Sequence, residues 1–232
     1  MTTKTKKMFQ IQIADKIIRS PQIDCVAFVL YAKLIQLYRL KGGVSDTIEI
    51  DHAALKYFLI IKSNQKLKTA INTLYDAKLI RTKIDILPKN QPLQIEINSF
   101  FDLKKAGKTK EDRFSYTQMP YILTDRCMIE TLGHAGIRLL YYFESYINRT
   151  KTFSFCFTSL ETIRKEIGLS ENTILKYIDI LKKNKLITVK KHKLEFTYSY
   201  DAYTNKAYFT KYNNHYMVNI ENIHKLYEKL KG

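Results

Sequence analysis

The sequence predicts an α+β fold, mainly α, in which a unit of three helices and a β-hairpin occurs twice. Three observations predict it. Residues 63–80 align with residues 170–187 at an offset of 107, and six of the 18 positions are identical, where about one is expected by chance. Each aligned segment is preceded, in the same order, by a short alternating stretch, a long apolar helix and a short helix. Each is followed at once by strand-like sequence around a turn. Three helices with the third running into a hairpin make a winged helix, so the fold class is tandem winged-helix (helix-turn-helix) domains from an internal duplication.

The elements follow in order. "FQIQIADKII" from Phe9 and "FSYTQMPYIL" from Phe114 alternate as short strands. "DCVAFVLYAKLIQLYRL" from Asp24 and "HAGIRLLYYFESYI" from His134 are long apolar helices. Short helices are expected near 51–60 and 159–167. The third helices start at Ser63 and Ser170, whose hydroxyls suit the N-cap because they accept a first-turn backbone N–H. Leu67, Ile71 and Leu74 form one apolar stripe, and Ile174, Ile178 and Leu181 form the other, with Tyr177 at its border.

The first hairpin is expected from "LIRTKIDI" and "LQIEIN" around "PKNQP". There Ile84 and Ile86 flank Asp85, and Ile95 and Ile97 flank Glu96, with the period of a half-buried strand. The second comes from "LITVKKHKLEFTYSY" and "KAYFTKYNNHYMV", with a turn near 201–205, and a last helix, "IENIHKLYEKLKG", closes the chain. The charged segment 102–113 lacks apolar periodicity and reads as a linker. The expected domains are 1–101, a linker at 102–113, and 114–232 with the terminal helix, each domain with its own apolar core.

The charge points to a polyanion. The 232 residues hold 39 Lys and Arg against 22 Asp and Glu, a net charge of +17. Such an excess repels itself and implies nucleic acid before an anionic membrane surface. Cys25, Cys127 and Cys156 are scattered and read as small core hydrophobes in a reducing compartment. The basic "MTTKTKKMFQ" is not followed by a long apolar segment, and no run approaches the length that spans a bilayer. A soluble, cytoplasmic protein is expected.

The polar faces of the third helices are the candidate site. The second helix of a helix-turn-helix lays its N-terminal residues in the major groove. Asn and Gln pair with adenine there, and Lys meets guanine edges or phosphates. The DNA-binding candidates are therefore Asn64, Gln65, Lys66, Lys68 and Thr69 in the first copy, and Ser170, Asn172, Thr173 and Lys176 in the second. Arg81, Lys83, wing-tip Lys89, Lys182, Lys183, Lys190 and Lys191 would meet phosphates, positioning the protein without specifying sequence. A lysine-rich helix face by itself is a solvated surface; here the duplication, the caps and the net charge agree. Tyr198, Tyr200, Tyr203, Tyr208, Tyr212 and Tyr216 read as one face of a packed sheet, with stacking on bases as the other use.

No enzyme is expected. The five histidines form no metal pair, "KGGVS" fits no phosphate loop, and the adjacent acids Glu111 and Asp112 lie in the linker. No cofactor or metal is expected.

Two winged helices, each introduced by a strand of the form aromatic-x-x-x-x-apolar-Pro-x-apolar-apolar, resemble the replication initiator proteins of plasmids, phages and mobile elements. The second copy carries the pattern as Phe114, Met119, Pro120, Ile122 and Leu123; the first has Phe9, Ala14, Ile17 and Ile18, with Asp15 in place of the proline. The resemblance implies binding to repeated origin sites, melting or bending of them, and recruitment of host replication proteins. Rolling-circle initiators do not fit, because their paired-histidine motif is missing. The rivals are a transcriptional regulator on the same scaffold and a winged-helix scaffold that binds protein only. Expected partners are double-stranded DNA in origin or operator repeats, host replication proteins and a second copy in a homodimer, with no membrane among them.

Overall fold

The computed structural model describes residues 9–42, 45–98, 115–151, 154–192 and 213–232. The first half runs β1 (Gln10–Ala14), α1 (Asp15–Ile18), α2 (Cys25–Leu40), β2 (Thr47–Ile50), α3 (His52–Leu59), α4 (Asn64–Asp76) and β3 (Leu93–Glu96). The second runs β4 (Tyr116–Pro120), a 3₁₀ turn (Tyr121–Thr124), α5 (Arg126–Glu144), α6 (Leu160–Ile167), α7 (Glu171–Lys183), β5 (Ile187–His192), β6 (Asn213–Val218) and α8 (Ile220–Lys231). The chain is α+β and mainly helical. The segment 102–113, the turn near 201–205 and five of the six tyrosines noted above lie outside the described residues.

The two halves repeat local geometry at the ends of α4 and α7. Lys78 and Lys185 both take φ 58°, a left-handed conformation that ends α4 and α7. Behind each, a backbone N–H reaches back one turn: Leu79 N donates to Leu74 O and Leu186 N to Leu181 O, both at 2.9 Å. Each lysine carbonyl then accepts an asparagine side chain, Asn98 at 2.8 Å and Asn219 at 3.1 Å. In each half the last strand lies in the middle: β3 pairs with β2 while Ile97 bridges Ile80, and β6 pairs with β5 while Tyr216 bridges Cys156.

Besides β2, a strand at Thr47–Ile50 that the sequence did not lead us to expect and that pairs with β3, two elements differ from expectation. The first hairpin has no regular first strand beyond the Ile80 bridge. Asn72 of α4 captures the segment instead, its amide donating to Ile84 O at 2.9 Å and its carbonyl accepting Ile84 N at 3.0 Å. Pro88 and Pro92 also remove two backbone donors a ladder would use. Ile84 is consequently buried at 7 % exposure while Ile86 stands out at 84 %, against the alternation expected. The second difference is that α5 begins at Arg126, well before His134, and is interrupted at Gly133 (φ 66°, ψ 162°). The glycine hid the first turns from a periodicity reading.

The halves do not have separate cores. β1 pairs with β4 in an antiparallel ladder centred on Gln12 and Gln118. Beneath it one continuous apolar cluster runs from Ile11, Ile13 and Phe28 to Leu139, Leu140 and Tyr141. Phe28 of α2 meets Tyr141 of α5 edge to face, ring centroids 5.2 Å apart. Thr117 donates to Asp15 at 2.7 Å in the buried sheet face. Arg138 of α5, wholly buried, donates to the carbonyls of Ile18, Ser20 and Ile23 in the first half and of Ile167 in the second. Burial pushes its pKa down, but an arginine stays charged, so its donors must be satisfied. Here they are satisfied by backbone groups at the ends of α1 and α6 and in the loop before α2. The expected independent cores are replaced by one shared core.

Candidate nucleic-acid interface

α7 is built to present a polar surface. The Ser170 hydroxyl accepts Thr173 N at 3.3 Å and lies 2.8 Å from the Thr173 hydroxyl, so both side chains serve the cap. Ile174, Ile178 and Leu181 are buried. Tyr177 seats the helix on α5: a Cβ on Gly133 would lie 2.7 Å from its ring and one on Gly136 3.3 Å away. At Gly133 a side chain would have to displace the ring, and the positive φ there is also glycine's; at Gly136 the ring would have to give by a few tenths of an ångström.

The remaining face of α7 carries Glu171, Asn172, Leu175, Lys176, Asp179, Lys182 and Lys183, all exposed. Lys176 stands 5.7 Å from the Tyr177 ring centroid, and Lys182 lies 3.6 Å from Asp179. Lys190 and Lys191 are exposed on β5, directly after the helix. Asn172, Lys176 and Lys183 thus share the outer face of α7, Lys190 and Lys191 are exposed on the strand that follows, and Ser170 and Thr173 are drawn back into the cap.

α4 follows the same plan with different commitments. Ser63 accepts Lys66 N at 3.1 Å, and Leu67, Ala70, Ile71 and Leu74 are buried. Gln65, Lys66 and Thr69 are exposed. Asn64 is exposed too, but its carbonyl accepts Lys56 of α3. Lys68 donates to Asp85 O at 2.9 Å, so it ties α4 to the following loop. Arg81 pairs with Glu96 at 2.7 Å, which offsets its charge for a phosphate. Lys83 and Lys89 are exposed on that loop.

The turn before α7 and the end of α3, which precedes α4, each dock on the opposite half. Gly168, at φ 69° after α6, lies against Pro21, and a Cβ there would stand 3.3 Å from Pro21 O. In the first half, His134 Nε2 meets Leu59 O at 2.8 Å, and Arg126 stacks on Tyr57 at 4.0 Å. Burial lowers the His134 pKa, partly countered by the Leu59 carbonyl. Burial likewise raises the Glu144 carboxyl, which Arg149 holds through a two-point fork at 2.8 and 2.6 Å. Among the described residues no group of His, Cys, Asp and Glu could hold a metal ion, and no helix is long and apolar enough to cross a membrane.

Three residues on this surface were not singled out as candidates from sequence. Asn72 binds the backbone, Leu175 is exposed at 43 % on the face of α7, and Ile86 projects from the loop. A leucine off the i, i+4 stripe was the available signal for Leu175; the other two depend on a distant contact and have none.

Residues 131–187 match the model of the helix-turn-helix domain family. The match covers the main part of α5, all of α6 and α7 and the first residue of β5. The α6–turn–α7 pair is therefore a helix-turn-helix, and this supports DNA binding by the chain. No curated protein and no solved structure matches the chain.

Proposed function

We propose that the protein binds double-stranded DNA sequence-specifically through two winged-helix modules that arose by duplication, and that it initiates replication of a plasmid, phage or mobile element. The observation that carries this reading is the exposed polar face of α7 within a matched helix-turn-helix. The repetition of its C-terminal geometry at α4, down to the left-handed Lys78 and Lys185, extends the reading to both halves. Asn172 and Lys176, with Gln65 and Thr69 as their counterparts, contact bases. Lys183, Lys190, Lys191, Lys83 and Lys89 contact phosphates. The initiator role rests on the introducing strands β1 and β4 and the resemblance they carry; in this arrangement the module boundaries are 1–101 and 114–232, with host replication proteins and a second copy as further partners.

Footprinting on the DNA flanking the gene tests the proposal. Protection of tandem repeats, and maintenance of a plasmid that carries only the gene and those repeats, is the expected result. A single protected operator over the gene's own promoter, with no maintenance, would make the protein a transcriptional regulator. Affinity for random duplex should also fall steeply with salt, since each of roughly 6–12 phosphate contacts adds about −0.9 to the log–log slope. A slope near zero would remove DNA binding altogether.

A further inference from the structure

Ile86 is the most exposed large apolar side chain among the described residues, at 84 %. It does not sit on a loose tip. Two residues before it, Ile84 is buried and held through both backbone groups by Asn72. The residue directly before it, Asp85, is held by Lys68 through its carbonyl at 2.9 Å. After it, Leu87 and Pro88 are half-buried, and the loop turns back at Asn90, φ 55°, between two prolines that limit its freedom. A single isoleucine is thus pushed into solvent by a segment anchored on both sides.

The anchors also fix where the segment lies. Lys68 and Asn72 lie on the flank of α4, beside Gln65, Lys66 and Thr69, so the loop runs along the helix that carries the base-contact candidates. Lys83 and Lys89 are exposed on either side of Ile86, with the exposed Asp85 carboxylate as the one negative group between them. An apolar side chain flanked by cations, next to a helix seated in the major groove, has the chemistry of a wedge. Such side chains enter the adjacent minor groove, part a base step and kink the duplex by about 20–90°.

We infer that Ile86 is a DNA-kinking wedge, which enters a flexible base step beside the groove that α4 occupies. The inference rests on the DNA-binding reading above. Pyrimidine–purine steps, TpA above all, unstack most cheaply and would be preferred.

The test uses the full chain and a duplex of about 40 base pairs with one central TpA step. The duplex carries fluorophores at its ends to report bending and 2-aminopurine at the step to report unstacking. Binding should bring the ends together and brighten the 2-aminopurine. Ile86→Ala should lose at least about half of both signals while the salt slope stays the same, because no charge is removed. Asn72→Ala, which frees the loop but keeps the isoleucine, should lose part of the bend. Unaltered melting of Ile86→Ala checks folding, which is expected for an exposed side chain. If the unaltered protein does not bind at low salt, the DNA-binding reading fails and the wedge with it. If it binds and Ile86→Ala bends the duplex equally, the wedge alone is overturned. If Ile86→Ala instead changes sedimentation of the protein without DNA, Ile86 is a self-association contact, and the wedge is again overturned.

Discussion

Gln12 and Gln118 face each other across the β1–β4 ladder, and each is the third residue of its five-residue strand. The two strands therefore meet about a local two-fold centre, at an offset of 106 residues. That pairing, with α2 against α5 beneath it, makes each half part of the other's core. A chain cut between residues 102 and 113 should remain one particle. The fragments should co-elute on gel filtration and melt in one transition. Two peaks, each with its own melt, would show that the halves fold independently.

Arg138 is the polar centre of that joint. Arg138→Met would leave the carbonyls of Ile18, Ser20, Ile23 and Ile167 without their donors. Each unpaired buried carbonyl costs about 1–3 kcal/mol, and these losses are not additive. A total loss of about 3–5 kcal/mol is expected in urea unfolding. Arg138→Lys should recover only part of it, since an ammonium lacks the five-donor fork. A loss within about 0.5 kcal/mol would mean that water replaces the guanidinium there.

The two faces of α7 should separate in mutants. Asn172→Ala should cost about 1–3 kcal/mol on the cognate site and little on random duplex. Lys190→Ala should weaken both and flatten the salt slope by about one. Neither side chain is buried, so melting should barely change. Ile178→Ala, at a position 6 % exposed, opens a cavity under the helix and should cost about 2–5 kcal/mol of stability. If Asn172→Ala unfolds the protein, or leaves both affinities alone, α7 does not read DNA with this face.

His134 should make the joint sensitive to mild acid. Burial is the main cause of its lowered pKa and Lys66 adds to it, while the Leu59 carbonyl and Asp24 oppose it. The folded state thus prefers the neutral ring. Its contribution is complete above the unfolded value of about 6.5 and is lost as pH falls through the folded pKa. Stability measured below about pH 6.5 should fall more in the unaltered protein than in His134→Gln, which keeps a donor for Leu59 O but does not titrate. Parallel pH profiles would show that the ring is solvated when charged.

Local signals determined α4 and α7. Their serine caps, their i, i+4 stripes and their exposed polar faces each depend on residues within a few positions, so the sequence alone carried them, along with the surface holding Asn172, Lys176, Gln65 and Thr69. The strands β3, β5 and β6 were legible because their sequence keeps a period of two, but β2, which precedes α3 in the chain and pairs with β3, was not expected. The loop after α4 was not legible either. Residues 81–87 alternate like a strand, yet a strand needs a partner for its backbone, and here the Asn72 side chain took that place. The commitments of Lys68 and Arg81 were hidden for the same reason: a side chain's partner is set by three-dimensional approach. The same holds for Arg138, which in sequence is one cation on an apolar helix, and whose role depends on carbonyls more than a hundred positions away. Folding alone could bring them to it, because only the packing of α5 against α1 and the loop before α2 closes that distance and removes the water that would otherwise satisfy both sides.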